Sequence, residues 1–348
     1  MAPPLAAPTT SYPFHRVVAA EPGGGALDTI GTPTLWAAVI GAVVVLLALD
    51  FVITRKPHEV SMREAVGWSV FYVALPLAFA GYVFAGHGSE RGLEYLTGYL
   101  VEKSLSVDNL FVFLLLMAAF AVPRELQQRV LLYGIVGALV LRGIFIAMGA
   151  AALSRFDWMF LVFGAVLVVT AVKILRDALA GHEQELDVDS MRSVRLVRRV
   201  IPVTDSYDGP RLFTRLHGRR AVTPLALVVV AVFATDIVFA VDSVPAVYGI
   251  TGDPFLVFAT NAFALLGLRA LYFVLEGALS KLRHLGYGLA AILGFIGVKL
   301  GLHWAHLRWE EVPEIPTLWS LAVIVGVLVI TTVTSLVADR RQEAVPTR

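Results

Sequence analysis

The sequence predicts an all-α polytopic membrane protein of about nine transmembrane helices, and three observations carry that prediction. Of its 348 residues, 57% are hydrophobic and only 16% charged, with a mean hydropathy of +0.76. Soluble domains carry about 25% charged residues. The apolar residues are gathered into windows of about 20, the length that crosses roughly 30 Å of hydrocarbon. Finally, the order of charged residues in one three-span stretch recurs in the next three, which predicts an internal repeat.

Taken in order, residues 1–33 are rich in Pro, Ala and Gly without a sustained apolar run, and read as a mobile exoplasmic tail. Nine spans follow, at about 34–53, 65–85, 94–121, 130–152, 157–175, 224–247, 255–276, 284–304 and 317–338, so that a transmembrane domain occupies 34–338. Backbone polar groups have no water to bond in lipid, so each span is expected to be helical. A basic cytoplasmic loop, 176–223, interrupts the spans, and 339–348 form a cytoplasmic tail.

Orientation follows from Lys and Arg in the loops. Arg55, Lys56 and Arg63, then Arg124 and Arg129, then the nine arginines of 176–223, then Lys281 and Arg283, and last Arg340, Arg341 and Arg348 all fall on one side of a nine-span chain. This puts the N-terminus outside and the C-terminus in the cytoplasm. Within the long loop, MRSVRLVRRVI alternates basic and apolar residues at near-helical spacing, as a segment lying on an anionic leaflet would. A solvated topology determinant is the plainer reading.

The intramembrane charges are the most informative feature. Span 3 carries Glu102 and Asp108, span 6 carries Asp236 and Asp242, and in both the acids stand six apart with a small polar residue next, Asn109 or Ser243. Downstream, Leu141-Arg142 matches Leu268-Arg269, Leu153-Ser154-Arg155 matches Leu279-Ser280-Lys281, and Lys173 matches Lys299. Spans 3–5 (about 94–175) and 6–8 (about 224–304) therefore read as two copies of one unit. Three spans per copy is an odd number, so the copies are expected to be inverted, an arrangement that in secondary transporters places the site near the midplane between repeats.

A charged residue at the bilayer centre costs roughly 2.5–3.5 kcal/mol on insertion scales, so four acids call for cations, protons, water or basic partners. One reading is a path for a hard divalent cation through oxygen ligands, with Glu102, Asp108, Asp236 and Asp242 as acids and Asn109, Ser243, Thr235 and Asn261 as neutral donors. The other is a structural ion-pair network with Lys103, Arg142, Lys173, Arg269 and Lys299. Six residues of helix leave the two acids of one span roughly 120° apart in azimuth and about 9 Å apart along the axis, so one helix does not bring both to one ion. Inverted symmetry would level Glu102 with Asp242 and Asp108 with Asp236. A different offset would join Asp108 and Asp242 at the midplane. Pro245 is expected to kink or open the helix beside Asp242.

His303 and His306 are spaced to hold a metal on one helix face, although an interfacial role beside Trp304 and Trp309 is the simpler expectation. Asp50 and Glu276 read as interfacial. A net charge of +1 supplies no general attraction to nucleic acid, and the absence of cysteine removes disulfides, thiolate sites and thiol nucleophiles. No Ser–His–Asp arrangement, HExxH, P-loop or CxxC appears, so no enzyme is expected.

The segments DFVITRKPHEVSMREA (50–65), EKSLSVDNLFVF (102–113), TDIVFAVDSVPAVYGITGDPFLVFATNAFALLGLRALYF (235–273) and FIGVKL (295–300) resemble the TerC family in its Alx-like branch, within a LysE-like transporter superfamily. The likeness covers about 35–340. It departs at Ala259-Thr260-Asn261, where the family commonly has Thr-Ser-Asn. The resemblance implies a bacterial inner-membrane exporter of manganese, connected with tellurium resistance and with metal supply to exported enzymes. It marks Glu102, Asp108, Asn109, Asp236 and Asp242 as motif acids and neighbours. The expectation is therefore export of Mn²⁺ in exchange for protons, with no resident cofactor. A second copy of the chain or the export machinery are further candidate partners. A non-transporting membrane scaffold or metal-delivery partner, or an exporter of small organic solutes, is the alternative.

Overall fold

The computed structural model describes residues 29–53, 60–180, 192–204, 206–216, 219–275, 284–309 and 311–343. The expected tail at 1–28, the segment 181–191, Glu276 and the last five residues lie outside them. Ten helices and one hairpin make up the described chain: α1 (Pro33–Ile53), α2 (Met62–Ala119), α3 (Arg124–Leu153), α4 (Met159–Ala180), α5 (Arg192–Val200), β1 (Phe213–Leu216), β2 (Arg219–Val222), α6 (Pro224–Tyr248), α7 (Pro254–Leu266), α8 (Leu268–Leu275), α9 (Leu285–His306) and α10 (Thr317–Glu343).

Among the described residues, seven helices are long and apolar enough to cross a membrane, or eight if α7 and α8, bent by 40° at Gly267, count as one broken span. The sequence divided the same residues into nine, and the difference lies in α2, which holds both 65–85 and 94–121. Its 58 residues would run about 87 Å if straight. They do not, because Gly88 has φ +88° and ψ 169°, a left-handed conformation that a residue without a Cβ adopts readily. The Phe79 and Tyr95 rings then sit 5.1 Å apart, although sixteen residues of straight helix would hold them about 24 Å apart. The chain doubles back there.

Local sequence explains the other ends. Ser61 accepts the Glu64 amide at 3.3 Å to start α2, and Pro224 and Pro254 open α6 and α7, where a missing N–H costs nothing. Asp253 caps α7 by accepting the Phe255 amide at 2.8 Å, and also receives Thr29 Oγ1 at 2.6 Å and the Ile30 amide at 2.8 Å. Thr29 and Ile30, expected in the mobile tail, are thus pinned to the bundle. Pro245 does not end α6, which runs on to Tyr248. It stands in the last turn, so only the carbonyl of Val241 loses its partner.

The core is built between the two stretches read as repeats. α4 and α9 form the most extensive helix pair. They meet at Gly164 and Gly297, where an added Cβ on either would approach the other's carbonyl oxygen to 2.8 and 2.9 Å. Small residues of this kind let membrane helices approach closely. α3 packs on α6 in the same way, with Gly134 and Gly137 against Val232 and Phe233. Outward faces remain apolar, as at Val44, Val140, Val169 and Ile330, which suits lipid as surroundings.

The basic loop is more than a solvated tether. Within that basic segment Arg192–Val200 form α5, with Val194 fully buried. The antiparallel β1–β2 hairpin was not expected. Tyr207 Oη donates to the Phe120 carbonyl at 2.7 Å and ties this module to the end of α2.

Candidate functional site

Three helices converge on Arg142 of α3, a guanidinium with 1% exposure. Glu102 of α2, fully buried, forms an ion pair with it. Asn261 of α7 accepts a hydrogen bond from Arg142 Nη1 at 2.8 Å, and Asp236 of α6 places Oδ1 4.0 Å from Nη2. Asn109, two helical turns after Glu102, has its amide assigned from the hydrogen-bond network: with oxygen and nitrogen exchanged, it donates to the Leu105 carbonyl at 3.1 Å and accepts from Arg142 Nη2 at 3.3 Å. Four of the eight residues singled out from sequence therefore share one partner, while Thr235 donates back to the Ala231 and Val232 carbonyls of its own helix.

The charges in this group do not cancel. Among the described side chains, two carboxylates face one guanidinium, and Glu102 Oε2 and Asp236 Oδ2 are buried without a hydrogen-bond partner. An unpaired buried carboxylate oxygen is costly, so the group favours one more positive charge, a proton or a cation.

Helix geometry separates the remaining acids. Asp242 is turned away from Asp236 by the 120° of a six-residue step and meets α4 instead, where Thr170 Oγ1 donates to it at 2.8 Å. Lys173, one turn further along α4, lies within electrostatic reach of it. Ser243 is buried with its hydroxyl unpartnered. Asp108 belongs to α2, but its side chain lies outside the described set. Glu102 is joined through Arg142 to Asp236, the acid of the other expected repeat. The bridging arginine comes from a third helix, α3, which packs against α6 and α7.

A second buried arginine stands apart. Arg269 of α8 donates to Asp50 of α1 at 2.8 Å and to Gln128 of α3 at 3.1 Å. Asp50, expected at the interface, has 1% exposure. The acid is buried because Arg269 supplies a charge partner that a single-span reading of α1 could not reveal.

At the far end of α9, His303 Nδ1 lies 2.8 Å from Glu314 Oε1, and His306 Nδ1 lies 2.6 Å from the Val312 carbonyl. The two histidines thus hold the chain between α9 and α10. Burial alone would raise the Glu314 carboxyl, but the His303 hydrogen bond and the His303, His306 and Lys299 charges outweigh it and hold it below the usual carboxylate range. Among the described residues no group of three or more His, Asp or Glu is close enough to hold a metal ion. In the arrangement seen, Arg142 fills the space between Glu102 and Asp236.

Fold and site define a polytopic helical membrane protein with a buried, charge-imbalanced polar centre. The integral membrane protein TerC family model matches residues 87–343, and the chain belongs to that family. It is 44% identical over 313 residues to "Uncharacterized membrane protein STKORF319" of Myxococcus xanthus, covering 90% of this chain and 95% of the relative. It is 43% identical over 315 residues to "Putative membrane-bound redox modulator Alx" of Escherichia coli (strain K12), with 88% and 95% covered. It is 44% identical over 319 residues to "Uncharacterized membrane protein Rv2723" of Mycobacterium tuberculosis, with 88% and 80% covered. No solved structure gives a significant match.

Proposed function

We propose that this protein is a secondary transporter that exports a divalent metal cation, Mn²⁺ in first place, from the bacterial cytoplasm across the inner membrane in exchange for protons. The observation that carries the reading is the sharing of one guanidinium by two buried carboxylates, one from each expected repeat, with an unpartnered oxygen on each. Such a group needs one further positive charge. Protons and divalent cations are the species that two carboxylates and two amides bind in alternation.

The architecture supports the same reading. Counting α2 as two spans that reverse at Gly88, and α7 with α8 as one broken span, gives nine crossings, with the N-terminus outside and the C-terminus cytoplasmic by the distribution of Lys and Arg. The close pairing of α4 with α9, the third helices of the two units, is the contact expected across the pseudo-two-fold axis of an inverted repeat. A broken helix beside the site, here at Gly267, is also a transporter feature.

The relative named a redox modulator bears on a second reading. The chain contains no cysteine, so it carries no thiol couple of its own, and a redox effect would have to pass through a metal ion or another protein. The folded basic module from α5 to β2 favours a scaffold or metal-delivery partner as the alternative. Purified protein in liposomes with a luminal pH dye separates the two. Manganese movement with opposed proton movement is expected of the transporter. No movement of any divalent ion by folded protein would leave the scaffold.

A further inference from the structure

We propose that Arg142 is a tethered competitor for the transported cation: its guanidinium holds Glu102 and Asp236 while the site is unloaded, and withdraws onto Asn109 and Asn261 when a divalent ion enters. This rests on the transport reading above and names what sets the affinity of that site.

Four features of the site carry the inference. First, Arg142 occupies the position an ion would take, between the carboxylates of α2 and α6. Second, its grip is uneven. Glu102 is in direct ion pairing, whereas Asp236 stands at 4.0 Å with its second oxygen unpartnered, so one acid is already half released. Third, a neutral resting place is built in. The amide nitrogen of Asn261 donates to the Val257 carbonyl at 2.9 Å and that of Asn109 to the Leu105 carbonyl at 3.1 Å, which aims both amide oxygens at the guanidinium. Fourth, Arg142 Nε has no partner, so the fork is not locked by its full set of donors.

The charge count gives the exchange its direction. With Arg142 between them the two acids retain one net negative charge; a divalent ion neutralises both acids and leaves the guanidinium as the one excess positive charge. The guanidinium must then move off, since it would face a dipositive ion at close range in a medium of low dielectric. It keeps two amide acceptors there, so its departure leaves no buried arginine without hydrogen bonds. On the return step the same guanidinium re-enters and expels the ion. Lys103, the neighbouring base on α2, does not substitute, because its ammonium donates to the Ala264 carbonyl at 3.3 Å.

The test is Mn²⁺ binding to purified full-length protein in detergent, read by electron paramagnetic resonance, for wild type, Arg142→Gln, Arg142→Lys, Asn261→Leu and Arg142→Gln/Asn261→Leu. Removing the competitor is expected to tighten binding about tenfold or more, within the usual range of coupling between linked sites. Arg142→Lys keeps the charge but loses the planar fork, and its affinity is expected between the two. Asn261→Leu removes half of the resting place and should weaken binding several-fold in the wild-type background but hardly at all beside Arg142→Gln. Equal or weaker binding by Arg142→Gln while wild type still binds would overturn the competitor and leave metal transport standing. So would an equal loss from Asn261→Leu in both backgrounds, because Asn261 would then be a direct ligand. Absence of Mn²⁺ from every folded variant would overturn both.

Discussion

Two buried arginines, matched in the repeat pattern, sit in opposite electrostatic situations. Arg269 meets one carboxylate, Asp50, and one neutral acceptor, Gln128, so its charge is balanced. Arg142 meets two carboxylates and two amides, and the acids keep unpartnered oxygens. A balanced pair serves to hold α1, α3 and α8 together. An imbalanced one is poised to change its protons or ions. Burial and an arginine do not by themselves mark a candidate transport site; the leftover charge sets the two apart.

The largest stability effect is expected on the balanced side. Asp50→Ala strands the Arg269 guanidinium in the bundle, and breaking a buried pair this way costs about 3–5 kcal/mol. Thermal unfolding in detergent should show a Tm far below wild type. An unchanged Tm would mean that water reaches Arg269. Gln128→Leu removes only the neutral acceptor and should cost about 1–3 kcal/mol in the same assay.

Asp242→Asn sharpens the contrast from the other side. The amide oxygen still accepts from Thr170, so stability should stay within about 1 kcal/mol of wild type while manganese flux is lost. Normal flux in both Asp242→Asn and Asp108→Asn would remove the second acids from the path.

The smallest effect is local and pH-dependent. Glu314 is held below its ordinary range, so its contribution is present above the unfolded carboxylate value and is lost as pH falls through the lower, folded one. Amide hydrogen exchange between α9 and α10 should therefore quicken on acidification. In Glu314→Gln that chain should exchange faster at neutral pH and lose the added acid response.

Much of this was legible in the sequence, for a physical reason: lipid imposes a single rule on backbone and side chain alike, so apolar length and stray charge both report directly. Glu102, Asn109, Asp236 and Asn261 stood out as polar groups in apolar runs, and the structure gathers them. What the sequence could not give is which charges meet. Arg142 was grouped with four other bases as a partner for the acids, and only the packing of α3 against α6 and α7 selects it. The burial of Asp50 was not legible because it depends on a residue 219 positions away. The β-hairpin was missed because its short strands, FTRL and RRAV, lack a sustained alternating pattern.

The most direct measurement is manganese flux into proteoliposomes for Glu102→Gln beside Asp50→Asn, with folding of each verified. Glu102→Gln is expected to be folded but inactive, and Asp50→Asn, though less stable, to transport still. Wild-type flux from Glu102→Gln, or equal loss from both folded variants, would contradict the assignment of function to the Arg142 centre.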